Sequence, residues 1–144
     1  MKIIVCGSMT ASKEMVSLEN QLIEMGHEVV LPEFTHDYAE METFERMHSE
    51  SSNNKKQYDL IRGYFEKMKD ADAVLIANVE RKGIPGYIGG NSFLELGFGH
   101  VLDKQIYLLN AIPEVSYQDE IIAMQPVILY GDLSKIMVPV AETI

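Results

Sequence analysis

The chain has 144 residues, 47% of them hydrophobic, with a formal net charge of −10 and a sequence pI of about 4.8, so one domain spanning residues 1–144 is expected. That acidic balance argues against a nucleic-acid polymer or an anionic membrane surface as partner, since both need a basic footprint, although a local anion site on backbone amides stays compatible with it. A single cysteine, Cys6, excludes an intramolecular disulfide and a cysteine-based zinc site.

Met1 to Val5 is an apolar run broken at Gly7, far too short for the core of a signal peptide or a membrane span. The expectation is a soluble, cytoplasmic protein. Ile3-Ile4-Val5 is a β-branched run of the kind found in a strand covered on both faces. After Cys6-Gly7-Ser8, Ser12 is placed to cap a helix whose apolar positions are Met15, Leu18, Leu22, Ile23 and Met25. Gly26 stops that helix, and His27 to Leu31 reads as a second strand closed by Pro32. Residues 35–54 read as a partly helical insertion or flap, acidic at first and then a polar turn. From Lys55 or Lys56 a helix runs to Lys69, burying Tyr58, Ile61, Tyr64 or Phe65, and Met68; the strand Ala73 to Ala77 follows.

A glycine-rich loop, Gly83 to Gly90, leads into a helix from about Asn91 to Leu102. Ile106 to Leu109 is the fourth strand, Asp119 to Met124 a short helix, and Val127 to Tyr130 the last strand. Five strands alternating with helices predict an α/β fold, a flavodoxin-like open parallel sheet of order 2-1-3-4-5 with helices on both faces.

In such sheets ligands bind beyond the carboxyl ends of the strands, where the winding reverses, here between the first and third strands. Cys6, Gly7, Ser8 and Met9, the residue Asn78 after the third strand, and Gly89, Gly90, Asn91 and Ser92 converge on that edge. The helix carrying Glu95 opens there too. Two readings of Glu95 stand side by side. Ser92-Phe93-Leu94-Glu95 fits a capping box, in which the hydroxyl and the carboxylate satisfy free helix amides; a carboxylate near a helix N-terminus also suits a nucleophile. Gly7 can likewise be only a tight turn, or it can let the backbone approach a ligand held by Ser8. Asp72 reads on its own as a turn acid, and the amino end of a strand lies far from the pocket edge.

No G-x-G-x-x-G, Walker A lysine or G-x-S-x-G elbow is present, and Cys6 has no activating neighbour in sequence. His27, His36, His48 and His100 form no H-x-x-x-H or H-x-H pair, so neither a metal nor a cofactor is expected. An FMN carrier is disfavoured because the first loop is not rich in hydroxyls. The nine methionines read as core filler.

Val5 to Met9, then Lys69-Asp70-Ala71-Asp72 running into the third strand, then Asn91-Ser92-Phe93-Leu94-Glu95-Leu96-Gly97-Phe98-Gly99 together resemble the nucleoside 2-deoxyribosyltransferase superfamily. The look is nearest to its deoxynucleoside 5′-monophosphate N-glycosidases. The resemblance implies cleavage of the N-glycosidic bond of a 2-deoxyribonucleoside or its 5′-monophosphate, by hydrolysis or base exchange, through a covalent deoxyribosyl-glutamate. It implies Glu95 as nucleophile, Asp72 as an acid toward the departing base, and Gly7 and Ser8 as the sugar or phosphate loop. The implied partner is a small nucleoside or nucleotide, and the implied assembly a homo-oligomer. Three positions depart from the pattern: Ile4 replaces a tyrosine, Thr10 a basic residue, and Gly89 an aspartate. They bear on phosphate selectivity, on the transferase reaction and on turnover itself. The alternative is a non-catalytic nucleoside- or nucleotide-binding module on the same fold.

Overall fold

The computed structural model describes residues 1–41 and 59–136. Five parallel strands form one sheet in the order β2-β1-β3-β4-β5, with β1 Lys2–Cys6, β2 Glu28–Val30, β3 Ala73–Ile76, β4 Gln105–Leu108 and β5 Val127–Ile128. The expected order and class are the observed ones. Boundaries shift by one or two residues, chiefly at the edges, where β2 and β5 keep only short ladders. The helices are α1 Ser12–Glu24, α2 Thr35–Ala39, α3 Leu60–Lys69, α4 Gly90–Val101 and α5 Gln118–Ala123. Only the first part of the 35–54 insertion, and none of 55–58, falls within the described residues.

The central strands explain themselves. In a strand successive side chains point to opposite faces, and β1 buries both. Ile3 and Val5 join Met15, Leu18 and Leu22 of α1 in one core layer, while Ile4 and Cys6 join Tyr64, Met68 and Leu96 in the other. Each fully buried leucine or isoleucine contributes about 1.5–3 kcal/mol of transfer free energy, so the continuous apolar runs dictate a two-sided sandwich. α1 stops where expected, at Met25, with Gly26 at φ +94°.

Two helix starts differ from expectation. A 3₁₀ turn, Met9–Ala11, precedes α1, and Ser12 is inside the helix with its hydroxyl donating to the Met9 carbonyl at 2.6 Å. α4 begins at Gly90 with Gly89 as the cap and no side-chain cap bond. Ser92 is therefore the third helical residue, buried, and Glu95 lies beyond the first turn. The capping-box reading of Glu95 is set aside: a residue that far inside the helix cannot reach back to the free amides of the first turn.

Candidate active site

Register places the carboxyl edge of the sheet. Cys6 pairs with Ile76, and the Ala77 amide continues the ladder to the Cys6 carbonyl at 2.7 Å. Past that bond the chain leaves β1 at Gly7. A methyl group there would stand 3.0 Å from the Met15 sulfur and 3.4 Å from the Ala77 β-carbon, so Gly7 is held to a small residue by α1 packing across the turn. Ser8 and Thr10 bond each other through their hydroxyls at 2.8 Å, and the Ala11 amide donates to the Ser8 carbonyl at 2.9 Å. This loop is braced by its own groups.

A cavity of about 150 Å³ opens over the loop. Gly7, Ser8, Met9, Ser12 and Met15 form one wall, and Asn91, Leu94 and Glu95 of α4 another. Pro32, Glu33, Thr35 and Tyr38 come from the connection after β2 and from α2. Leu60, Ile61, Gly63, Tyr64 and Lys67 belong to α3. Leu60, Gly63, Tyr64 and Lys67 follow the three-and-four spacing of a single helix face. Gly63 interrupts that face with open space: among the described residues nothing lies within 4 Å of a methyl built there.

Glu95 is half-buried in this wall. Beneath it, Cys6 is wholly buried, and its thiol hydrogen-bonds the Glu95 carboxylate. Burial first, then the Glu95 charge and that bond, push the thiol's pKa well up, so Cys6 stays a neutral donor. A nucleophilic thiolate is disfavoured by the same burial and the same neighbouring charge. Tyr64 stands next to both. Its hydroxyl donates to the Val5 carbonyl and reaches the Val30 carbonyl at 3.3 Å, closing the end of the β1–β2 ladder. Burial, then Cys6 and Glu95, hold the phenol well above its ordinary pKa.

Gly7, Ser8, Met9, Asn91 and Glu95 thus line one cavity together. Cys6 lies under the wall and does not line it. Asn78 is buried and bonded throughout: its amide nitrogen donates to the carbonyls of Gly86, Asn110 and Ala111 at 3.3, 2.9 and 3.2 Å, and its oxygen accepts from the Asn110 amide at 2.9 Å. That residue ties two loops together and does not line the cavity. Gly89, Gly90 and Ser92 build the start of α4 behind Asn91, also outside the lining.

Asp72 requires the largest correction. It is exposed at the amino edge of β3, where its carboxylate accepts the Lys2 amide at 2.8 Å and its own amide donates to the Lys2 carbonyl at 2.8 Å. The cavity is at the opposite, carboxyl edge. The expected consequence is that Asp72→Asn changes any activity of the cleft by less than about twofold and stability by no more than about 1 kcal/mol, as for other exposed hydrogen bonds. Steady-state kinetics and urea unfolding check both halves, and a large kinetic loss would reverse the correction.

Sequence reading missed Glu33, Thr35, Tyr38, Gly63 and Lys67 as lining residues, and took Tyr64 for core alone. The recurrence of a small and a polar residue on the α3 face was the available signal. Among the described residues no group of three or more histidine, cysteine, aspartate or glutamate side chains gathers as a metal site would need, and no helix is long and apolar enough to cross a membrane.

No protein-family model matches the chain, and no curated protein matches it. Among solved structures the chain is similar to the Clostridium botulinum CMP N-glycosidase BcmB, at a TM-score of 0.46 and 14% identity over 89% of this chain and 85% of that one.

Proposed function

We propose that the cleft cleaves the N-glycosidic bond of a 2-deoxyribonucleoside or its 5′-monophosphate, with Glu95 as the nucleophile. The observation that carries this reading is the Glu95 carboxylate lining an open cavity at the sheet's carboxyl edge, opposite the Ser8 loop and supported from below by a neutral thiol. As the base departs, oxocarbenium-like charge grows at C1′, and a carboxylate beside that carbon stabilises it and then bonds to it. The C1′–N bond breaks, the base keeps the electron pair and takes a proton from water, and an ester between C1′ and Glu95 remains. Attack by water on C1′ releases the sugar and regenerates Glu95; attack by a second base gives transfer. Cys6 is a positioning residue: its neutral thiol donates to the carboxylate, while Tyr64 beside it gives its hydroxyl proton to the Val5 carbonyl and adds no charge, so the carboxylate keeps its place without a competing cation.

Trapping tests the proposal. A 2-fluoro-2-deoxy nucleoside slows release of the sugar more than its capture, so incubation is expected to add the fluorosugar mass to the chain. Glu95→Ala is expected to abolish that addition. No adduct and no free base from a panel of nucleosides and monophosphates would overturn it. Asp72's position favours the second reading, a binding module without turnover, because the acid expected to help the base leave is not in the cleft. In that case nucleosides raise the unfolding temperature, as ligands of the native state do, with no base released.

A further inference from the structure

Three of the described cavity-lining residues are charged: Glu33, Lys67 and Glu95. The two carboxylates outweigh the ammonium, so the described part of the lining is net negative in a chain that is itself at −10. Lys67, the cation among them, has its ammonium 3.9 Å from the Glu33 carboxylate, with both side chains about half exposed at 46% and 51%. The Ser8 hydroxyl is engaged by Thr10. Most of the other lining side chains are apolar or aromatic, among them Met9, Met15, Pro32, Leu60, Ile61 and Leu94.

A doubly charged phosphate entering this cleft meets two like charges and a cation already matched to a partner. To use Lys67 it must share the ammonium with Glu33 or push that carboxylate aside, and either way a like charge stays beside it. An uncharged nucleoside meets no such opposition, and its ring and base suit the apolar walls. Selectivity here comes from a repulsive element as much as from attraction. Resting on the nucleoside reading above, we infer that the Glu33–Lys67 pair makes the cleft selective for an uncharged 2-deoxynucleoside over its 5′-monophosphate. Glu33 is the discriminating residue, acting as the counter-charge that withholds Lys67 from a phosphate.

The test is equilibrium binding to the full chain, by calorimetry, of carbocyclic 2′-deoxynucleosides and their 5′-monophosphates across the four bases. A methylene replaces the ring oxygen in these compounds, so no base is lost during the measurement. The wild-type chain is expected to bind the best nucleoside about tenfold or more tighter than its monophosphate, and rising salt narrows the gap because the pair is partly exposed. Glu33→Gln is expected to narrow it by about fivefold or more, mainly by strengthening the monophosphate, whereas Lys67→Met widens it. Glu33 is on the surface, so both variants are expected to unfold at the wild-type temperature, which calorimetry of the free chain verifies. A monophosphate bound as tightly as the nucleoside by the wild type, or an unmoved ratio in Glu33→Gln, overturns the inference and leaves the nucleoside reading standing. Binding of neither compound, together with no trapped adduct, overturns both.

Discussion

Glu95→Gln is expected to lower the rate of base release by on the order of 10⁴-fold with little change in the affinity for substrate. The amide keeps the size of the side chain and an oxygen for the Cys6 thiol, but it is neither an anion nor a competent nucleophile. What is lost is an interaction that matters once charge develops at C1′, and such losses fall on kcat and not on KM. Glu95→Asp keeps the charge and withdraws it by one methylene, so an intermediate loss is expected; a misplacement of about 1 Å can itself cost on the order of 10²-fold. Stability should hardly move. Glu95 is half-buried beside a fully buried thiol, and functional carboxylates in such settings are commonly neutral or costly to the fold. Kinetics of base release paired with urea unfolding of the same samples make the check. A Glu95→Gln chain that keeps activity within tenfold would remove the nucleophile assignment.

Gly86→Ala is expected to cost about 3 kcal/mol of stability, the largest effect of a single methyl anywhere in the described glycines. Gly86 is at φ +66°, a conformation that alone costs an L-residue on the order of 1 kcal/mol. A methyl group there would stand 2.4 Å from the Ala111 carbonyl oxygen, well inside contact distance, and 3.3 Å from the Asn78 amide nitrogen. The backbone of Ala111 has to retreat, and the Asn78 bonds to Asn110 and Ala111 go with it. Gly83→Ala separates the two contributions. Gly83 has φ +77° with nothing within 4 Å, so it should lose only the conformational part, about 1 kcal/mol. Equal losses in the two variants, measured by denaturant unfolding, would contradict the steric account.

Much of the architecture was legible because the signals were local. Ile3-Ile4-Val5 and Ala73 to Ala77 are apolar runs too short for helices and too continuous for one-sided strands, and Gly26 marks the end of α1 by its backbone conformation alone. The alternation of strands and helices pointed to a parallel sheet, whereas the strand order was an inference from fold class that no residue pattern shows directly. The start of α4 was harder. Ser92 followed by Glu95 imitates a cap, yet Gly89 and Gly90 let the helix begin earlier, leaving Ser92 to pack inside. The site was half legible for a related reason. Ser8, Met9, Asn91 and Glu95 flank strand ends and could be placed by topology. Glu33, Tyr38, Tyr64 and Lys67 arrive from elements that fold over the β2 side of the sheet, and no local pattern says which of their faces meets the cleft. Asp72 illustrates the reverse: the motif suggested chemistry, whereas one strand's length of distance decides against it.

The pairing of β1 with β3 joins residues 70 apart in the chain, and β1 has no partner on that side until the later strand arrives. Contacts of such long range close slowly, because the intervening chain must first surrender its freedom. Until then a largely apolar strand exposes an open edge, a condition that invites association with other copies. The cleft depends on the same pairing: α3 and the Glu95 helix flank β3 in the chain, so its walls are incomplete until that strand is in place. A compound recognised by the finished cleft therefore has nothing to grip in the incomplete chain, and its presence during refolding should raise the final yield without hastening the slow step.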